Sequence, residues 1–174
     1  MIQVRKAIAG EETPIIDFYE DLIDLMRDNE YRPTWEKGIY PTKDFIRDAI
    51  GAGTVYIALE EGAIAGCGVC NHSQGEGYET VPWAVDAAPE RVSVIHMLGT
   101  DPRKHKRGIG RMIIQKMQED CQARGDLAIR LDTLPWNKPA RALYEACGFE
   151  LRGSLPMVYP PRELINFSMY EYVI

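Results

Sequence analysis

A mostly apolar run, a basic loop with two glycines and a helical pattern follow one another in this chain, and their order constrains the fold more than any other feature. Residues 92–98 are largely apolar and β-branched and are followed by Pro102, which predicts a buried strand ending in a turn. Basic residues 103–107 then lead to Gly108 and Gly110. Apolar side chains recur next at the spacing of an amphipathic helix, at Ile109, Met112, Ile113, Met117 and Cys121.

The start of this helix is expected to bind an anion. Up to four backbone N–H groups at a helix N-terminus lack a partner within the helix, and the helix dipole places positive charge there. Because Gly108 and Gly110 let a ligand approach the backbone closely, the loop predicts a phosphate or pyrophosphate site. A Walker A loop would need Lys and then Ser or Thr where this chain has Arg111 and Met112. A dinucleotide fingerprint would need a small residue at Ile113.

Size and charge limit the class of protein. The 174 residues suffice for one domain, residues 1–174, and the shares of hydrophobic residues (45%) and charged residues (26%) are ordinary for a globular protein. With 20 basic and 26 acidic residues the net charge is −6, so nucleic acid is not an expected partner. Because no leader-like segment and no apolar run near about 18 residues is present, we expect a cytoplasmic protein outside the membrane.

The cysteines do not predict a metal site. Cys67 and Cys70 lie in an apolar run that predicts a strand, where residues three apart face opposite sides, so their sulfurs cannot share one metal ion. His72 is the only further ligand nearby, and no second pair has zinc-ligand spacing. We therefore expect structural or incidental thiols at Cys67, Cys70, Cys121 and Cys147.

The amino-terminal part predicts a strand and two helices. Residues 1–9 are a candidate strand, and Thr13 is the expected N-cap of a helix that ends near Asn29. Breakers and aromatic residues fill a loop at residues 31–41, and Thr42 is the expected start of a second helix.

The rest of the chain predicts further strands. Apolar runs at residues 54–59 and 63–70 flank a glycine turn and predict a β-hairpin. Residues 71–91 mix loop formers with aromatic and acidic side chains and give no clear element. Because residues 127–132 form a strand after the central helix, we expect them to lie parallel to strand 92–98. Two further strand-like runs follow at residues 150–159 and 164–174.

Two motifs in this order resemble those of the GCN5-related N-acetyltransferases, the GNAT family. Pro102, Gly108 and Gly110 match the cofactor motif P-x-x-[QR]-x-x-G-x-[GA], with His105 where the family prefers Gln or Arg. The second motif, N-x-x-A-x-x-L-Y-x-x-x-G-F, begins with a helix N-cap and ends at a glycine suited to a helix C-terminus. It is matched by Asn137, Ala140, Leu143, Tyr144, Gly148 and Phe149. The resemblance covers Val92 to Phe149 directly, and residues 1–91 only in the order of elements.

The resemblance implies an α/β fold and a cofactor site. A single domain would contain a mixed central sheet of about six to seven strands, flanked by about four helices and splayed at the cofactor strand. The cosubstrate would be acetyl-CoA, with the backbone N–H near Leu98 as a donor to the thioester oxygen. The implied cofactor-binding residues are Leu98, Gly99, Thr100, His105, Lys106, Arg107, Gly108, Ile109, Gly110, Arg111, Asn137 and Ala140.

The implied reaction is transfer of an acetyl group to a primary amine, which needs an acid and a base. Tyr144 stands at the family's position for the acid that protonates the departing thiolate. A base must first deprotonate the substrate ammonium. We expect Glu79 in this role, with Asp86, His96, Glu36 or a water chain as open alternatives.

The acceptor and the rival functions are less constrained. Acidic residues in segments 31–41 and 71–91 favour a small cationic or peptide amine, and Trp35, Tyr40, Tyr78 and Trp83 are candidates for its pocket. A non-catalytic acyl-CoA-binding or sensing module would keep the loop and lose the acid, whereas a nicotinamide dehydrogenase would need a third glycine. Acyl chains longer than acetyl stay open, and the last strand could pair two copies into a homodimer.

Overall fold

The computed structural model describes residues 1–104, 107–159 and 163–174. The described residues form seven strands and four helices, which fall into one mixed sheet in the order β1-β2-β3-β4-β5-β7-β6. The expected α/β class is confirmed. The bounds are β1 Ile2–Lys6, α1 Glu12–Met26, α2 Lys43–Gly51, β2 Val55–Glu60, β3 Ala63–Asn71, β4 Val92–Thr100, α3 Ile109–Arg124, β5 Ala128–Thr133, α4 Lys138–Ala146, β6 Glu150–Tyr159 and β7 Glu163–Val173.

The chain divides into two compact units. The first unit contains Met1–Cys70 and Met97–Met117, and the second contains Asn71–His96 and Gln118–Ile174. The first unit has a core in which buried side chains of both its amino-terminal helices meet those of β2 and β3. The second has its own apolar cluster, in which side chains of the 71–91 segment meet those of β6 and β7.

Helix α1 begins earlier than Thr13 predicts, so that N-cap assignment is wrong. Glu11 occupies the N-cap position, and its carboxylate accepts two hydrogen bonds from Arg5, at 2.6 and 2.9 Å. The same carboxylate accepts the backbone N–H of Ile8 at 2.8 Å. Because this ion pair orders the preceding turn, the helix starts at Glu12 and leaves Thr13 exposed within its first turn.

The predicted second helix and hairpin are confirmed. Thr42 is the N-cap of α2, and its hydroxyl accepts the backbone N–H of Phe45 at 3.2 Å. Strands β2 and β3 pair antiparallel through a turn at Glu61 and Gly62, both with positive φ. On β3, a Cβ at Gly66 would lie only 2.8 Å from the Cγ2 atom of Ile109, so the glycine lets the first turn of α3 lie against the strand.

The second unit contains the predicted parallel pair. Strand β4 pairs parallel with β5 over Val92–Val94, as expected for two strands joined by a helix. In the described chain this ladder ends two residues before His96, which agrees with the splay expected at this strand. Strands β5, β7 and β6 then pair antiparallel.

Residues 71–91 have little regular structure but are fixed to the second unit by one buried arginine. The Arg130 side chain donates to Glu171 (3.2 Å), to the side-chain oxygen of Gln74 (2.9 Å) and to the carbonyl of Val85 (2.6 Å). Its guanidinium also lies 4.4 Å from the ring centre of Trp83. The segment contains only two short 3₁₀ turns among its described residues, Tyr78–Thr80 and Pro89–Arg91.

Candidate functional site

The glycine loop, residues 101–110, leads directly into the first turn of α3. A short 3₁₀ turn, Pro102–Lys104, starts the loop, and Gly108 has φ +70° with open space where a Cβ would lie. The N–H of Met112 donates to the carbonyl of Gly108 at 3.0 Å and starts the helical ladder. The amides of Ile109 to Arg111 therefore precede the ladder and can bind an anion. The expected ligands His105 and Lys106 lie outside the described residues.

A buried carboxylate holds two of the loop's cations. Glu60, which is 6% exposed, lies 2.9 Å from Lys104 Nζ and 2.6 Å from Arg107 Nη2. The hydrogen bond from Lys104 and the positive charge of Arg107 hold the pKa of Glu60 below its ordinary value. Because two cations share one carboxylate, the group keeps a net positive charge beside the start of α3.

Strand β4 is distorted at Met97, shortly before the strand ends at Thr100. Met97 has φ +56°, a left-handed conformation that costs a non-glycine residue about 1–2 kcal/mol. The Tyr19 hydroxyl donates to the Met97 carbonyl at 2.8 Å and holds this conformation. The expected cofactor residues Leu98, Gly99 and Thr100 follow immediately and are half-buried.

At Gly99 the strand is covered closely by side chains, and an added Cβ would force Leu22 to move. A Cβ there would lie 2.6 Å from the Cδ2 atom of Leu22 and 3.4 Å from the Trp35 ring. The sequence indicated the glycine but gave no sign of the distortion at Met97, because methionine carries no preference for a positive φ.

The described residues of the first unit also line a cleft of about 550 Å³ between α1, the β2–β3 turn and the start of the glycine loop. Asp17 and Asp21 on α1 face this cleft, as do Arg103 and Lys104 from the loop. Arg103 is paired with Asp101 through two hydrogen bonds of 2.9 Å, so its charge is partly neutralised. The wall of the cleft therefore carries both signs of charge.

In the second unit, Asn137 has the capping role that its motif predicts. Its side-chain oxygen accepts the backbone N–H of Ala140 at 3.2 Å, which fixes the first turn of α4. Gly148, with φ +86°, follows the end of the helix as expected. The cap uses the oxygen of the Asn137 amide, so its NH₂ group can still donate to a ligand.

Tyr144, on the buried side of α4, packs its ring among other aromatic side chains. The residue is 7% exposed, and its ring centre lies 6.0 Å from that of Phe149 and 6.2 Å from that of Tyr170. Burial is the main cause that raises the pKa of Tyr144, and the negative charge of Asp132 is the second. Among the described residues its hydroxyl has no hydrogen-bond partner, so its proton is not committed within the unit.

Asp132, which the sequence did not indicate as a site residue, lies among Tyr144 and other polar groups. The Tyr78 hydroxyl donates to the Asp132 carboxylate at 2.7 Å. Burial raises the pKa of Asp132, while this hydrogen bond and the nearby His96 lower it in part. We call Tyr78, His96, Asp132 and Tyr144 the Asp132 cluster. The available sequence signal was an acidic residue at the end of an otherwise buried strand.

The hydrogen bonds of His96 determine which of its ring nitrogens carries a hydrogen. Its Nε2 atom lies 3.0 Å from Asn71 Oδ1 and 3.1 Å from the Ser73 carbonyl. The Asn71 atom is identified as oxygen because it also accepts the Ser73 backbone N–H, at 2.9 Å. Two acceptors therefore face Nε2, which must carry the hydrogen, so a neutral ring has its lone pair on Nδ1. Burial lowers the pKa of His96, although Asp132 opposes this, and the neutral form is favoured.

The other candidate bases lie at the surface. Glu79 is exposed on the 3₁₀ turn that also carries Tyr78, and Asp86 is exposed further along the 71–91 segment. Glu36 is exposed in the loop between the first two helices. Of the candidate bases, His96 interacts electrostatically with Asp132. No such interaction with Glu79, Asp86 or Glu36 is found among the described residues.

The candidate aromatic residues of the acceptor pocket take part in core packing. Trp35 packs on Tyr19, with ring centres 5.4 Å apart, and Tyr40 packs on Phe45. In the second unit, Tyr78 and Trp83 pack together at 5.6 Å.

No group of three or more His, Cys, Asp or Glu side chains among the described residues could hold a metal ion. Cys67, Cys70 and Cys121 are buried and form no disulfide bond in the described chain. Within the described chain, every helix is too short or too polar to cross a bilayer.

Comparisons with known proteins identify one family. The model of a family described as "Acetyltransferase (GNAT) family" matches residues 17–149, which include both motifs. No curated protein sequence matches the chain.

Solved structures share the fold. An acetyltransferase of the GNAT family from Streptococcus agalactiae is 20% identical, with 99% of this chain and 95% of that one covered and a TM-score of 0.76. A ribosomal-protein-alanine N-acetyltransferase from Brucella melitensis is 16% identical, with 99% of both chains covered and a TM-score of 0.73. The PaiA N-acetyltransferase from Thermoplasma acidophilum, solved in complex with coenzyme A, is 15% identical, covers 100% of this chain and 99% of its own, and has a TM-score of 0.67.

Proposed function

The chain belongs to the acetyltransferase (GNAT) family, and on this premise we propose that it transfers the acetyl group of acetyl-CoA to a primary amine. One observation carries the proposal: in the first unit a distorted strand end, Met97–Thr100, leads through the glycine loop into the open N-terminus of α3. This arrangement supplies backbone donors for a thioester oxygen and for phosphates within one continuous segment.

The glycine loop fits the phosphates of acetyl-CoA. Gly108 leaves the space of a side chain open, the amides of Ile109, Gly110 and Arg111 precede the helical ladder, and Arg107 adds positive charge beside them. In this proposal Leu98, Gly99 and Thr100 bind the pantetheine arm through their backbone. Asn137 donates a hydrogen bond from its NH₂ group to the same cosubstrate, and Ala140 lies in the helical turn that Asn137 caps. His105 and Lys106 are the further loop residues that we expect to bind the cosubstrate.

The reaction moves two protons from the amine. A base removes one proton from the substrate ammonium, and the neutral nitrogen attacks the thioester carbon. The Leu98 N–H stabilises the negative charge that develops on the carbonyl oxygen. The carbon–sulfur bond then breaks, and Tyr144 gives its proton to the thiolate. The proton that leaves the new amide nitrogen replaces it on Tyr144. Burial raises the pKa of Tyr144 and keeps the phenol protonated until the thiolate forms.

His96 and Glu79 are the two candidates for the base. Glu79 is exposed, and its carboxylate would act on the ammonium directly or through water. His96 is the stronger candidate, because Nε2 is occupied by two acceptors and the pKa is lowered by burial, which leaves a neutral ring with Nδ1 as the basic atom. The acceptor is proposed to be a small cationic or peptide amine. A cytoplasmic location and pairing of two copies stay predictions.

A screen for transfer tests the proposal. The protein is incubated with acetyl-CoA and separate pools of polyamines, amino acids, aminoglycosides and peptides, and each pool is analysed by mass spectrometry for acetylated product and for free CoA. We expect one class of amine to gain an acetyl group with release of one CoA for each product. Tight binding of acetyl-CoA without transfer to any pool would favour the alternative, a non-catalytic acyl-CoA-binding module.

Tyr144→Phe tests the proposed acid. Turnover should fall at least about tenfold while the KM for acetyl-CoA changes less than about twofold, because the hydroxyl acts only as the thiolate leaves. The matched control is Tyr172→Phe, which removes the hydroxyl of another tyrosine that contacts Phe149. If the turnover of Tyr144→Phe equals that of the wild-type protein from about pH 6 to pH 9, Tyr144 takes no part in the reaction.

A further inference from the structure

We propose that Tyr19 is a positioning residue for acetyl transfer. Its hydroxyl holds the peptide unit between Met97 and Leu98 in the orientation that presents the Leu98 N–H to the thioester oxygen. This inference rests on the proposed function, because it concerns the donor that the reaction requires. Tyr19 lies on α1, far from both sequence motifs, and acts through the backbone of β4.

The Tyr19 hydroxyl is held in place by dense packing. The residue is 1% exposed, and its ring makes edge contacts with Phe18 and Trp35, each with ring centres 5.4 Å apart. The close approach of Leu22 to Gly99 shows that α1 lies directly against the backbone of β4 here. A hydroxyl on such a ring has little freedom, so its 2.8 Å bond to the Met97 carbonyl fixes that oxygen.

Fixing the Met97 carbonyl also fixes the Leu98 N–H. The two groups belong to one planar, trans peptide unit, in which the C=O and N–H bonds point in opposite directions. The left-handed φ of Met97, +56°, turns its carbonyl out of the regular strand direction and toward Tyr19. Without the hydroxyl, the carbonyl would lose its buried partner, and the peptide could rotate back toward the extended conformation.

The Leu98 N–H is also directed away from the neighbouring strand β3. The N–H of Asp101 donates to the Ala65 carbonyl on β3 at 3.0 Å. Because backbone groups alternate in direction along a strand, the N–H three residues earlier points to the opposite side. The Leu98 donor is therefore not directed at the β3 ladder.

The same hydrogen bond strengthens this donor. A donor on a peptide carbonyl polarises the whole unit and makes its N–H more acidic. Tyr19 stays a donor at all working pH values, because burial raises its pKa. The thiol of Cys67 lies beside the Tyr19 hydroxyl, and burial raises the pKa of that thiol to about 12, so no thiolate competes for the proton.

Infrared spectroscopy of bound acetyl-CoA tests the inference. Acetyl-CoA labelled with ¹³C at the thioester carbonyl is bound to the wild-type protein and to Tyr19→Phe, and isotope-edited difference spectra give the carbonyl stretch. We expect the stretch to move to lower frequency in the wild-type protein than in solution, and at least about half of this shift to be lost in Tyr19→Phe. Affinity for acetyl-CoA should change less than about twofold, and turnover should fall about tenfold.

The matched control is Tyr56→Phe, which removes the hydroxyl of another fully buried tyrosine of the first unit. It should lower the melting temperature without moving the carbonyl stretch. An unchanged stretch in Tyr19→Phe, with the wild-type shift present, overturns the role of Tyr19 and leaves the proposed function standing. Failure of the wild-type protein to bind acetyl-CoA overturns both.

A second variant covers the case in which Tyr19→Phe does not fold. Incorporation of 3-fluorotyrosine at position 19 keeps the size of the ring and makes its hydroxyl a stronger donor. The carbonyl stretch of bound acetyl-CoA should then move further to lower frequency than in the wild-type protein. A stretch that stays at the wild-type value, or moves back, contradicts the inference.

Discussion

The glycine loop of the first unit is built from backbone groups, whereas the Asp132 cluster of the second unit is built from side chains. At the loop, the donors are amides at the start of α3. Side chains matter mainly through their absence at Gly108 in the loop and at Gly66 and Gly99 on the strands beside it. In the cluster, each group is a side chain whose pKa is shifted by burial, by Asp132 or by a hydrogen bond. In the proposed function, the first region binds phosphates and the second moves protons.

This difference teaches how each region should respond to substitution. A backbone site tolerates changes of exposed side chains but fails when an added Cβ displaces the main chain. A side-chain cluster is instead sensitive to changes of its functional groups, because replacing one group alters the pKa values of the others while the backbone keeps its position.

The largest expected effect separates the two candidate bases. His96→Gln should lower turnover about a hundredfold, because it removes the basic Nδ1 while keeping a side-chain donor, and it should leave the affinity for acetyl-CoA unchanged. In the wild-type protein, the apparent pKa of the acidic limb of the pH profile should be lower than 6.5, the ordinary value for histidine, because burial lowers the pKa of His96. The measurement is turnover against pH.

Glu79→Gln is the matched comparison, since it changes an exposed acid of the same unit. We expect its turnover to stay within about twofold of the wild-type value. The reverse result, a large loss in Glu79→Gln and none in His96→Gln, would transfer the role of base to Glu79.

A smaller effect is expected where the backbone builds the site. In Gly66→Ala the new Cβ would lie 2.8 Å from Ile109 and 3.2 Å from the carbonyl oxygen of Gly99. Overpacking of this kind costs about 1–3 kcal/mol of stability, and a shift of the first turn of α3 should weaken acetyl-CoA binding about fivefold. Calorimetric titration measures the affinity.

Gly51→Ala is the control for this substitution, because nothing lies within 4 Å of the position its Cβ would take. Its affinity for acetyl-CoA should equal that of the wild-type protein. Equal affinities in all three proteins would mean that the position of α3 does not set the phosphate site.

The smallest expected effect is on stability. Burial raises the pKa of Asp132 above its ordinary value of 3.8, so the native protein binds this proton more tightly than the unfolded chain does. The free energy of unfolding contributed by Asp132 therefore decreases as pH rises through its native pKa. Asp132→Asn should melt a few degrees higher, about 2–4 °C, than the wild-type protein at pH 7. The difference should vanish below the ordinary carboxyl pKa.

Asp86→Asn, which changes an exposed acid of the same unit, should melt at the wild-type temperature at pH 7. A melting temperature of Asp132→Asn at or below the wild-type value at neutral pH would show that the Tyr78 hydrogen bond outweighs the cost of burial.

The same difference explains what could be predicted from the sequence. Gly108, Asn137 and the start of α3 were predictable because a glycine loop, an N-cap and a helical pattern are local. The parallel pair β4–β5 followed from the same local patterns with one topological rule, and the fold class from the resemblance to the family. The Thr13 cap was wrong because a competing contact, Arg5 with Glu11, orders the turn before it.

The parts of the site that the sequence did not predict depend on contacts between segments that are distant in the chain. Tyr78 and Asp132 are 54 residues apart in the chain, and Tyr19 and Met97 are 78 apart. No local pattern indicates either hydrogen bond, since a tyrosine on an apolar face predicts a core residue and a methionine predicts an ordinary strand position. His96 could be proposed as a base, but its tautomer depends on Asn71 and Ser73 and is visible only in the fold.

The measurement that tests the central claim most directly is thermal unfolding of the wild-type protein with acetyl-CoA, with NADH as the control ligand. A ligand at 100 times its dissociation constant stabilises the native state by about 2.7 kcal/mol, which raises the melting temperature of a protein of this size by about 5–10 °C. We predict such a rise with acetyl-CoA and none with NADH. No rise with acetyl-CoA, or an equal rise with NADH, would contradict the assignment of the glycine loop as the acetyl-CoA site.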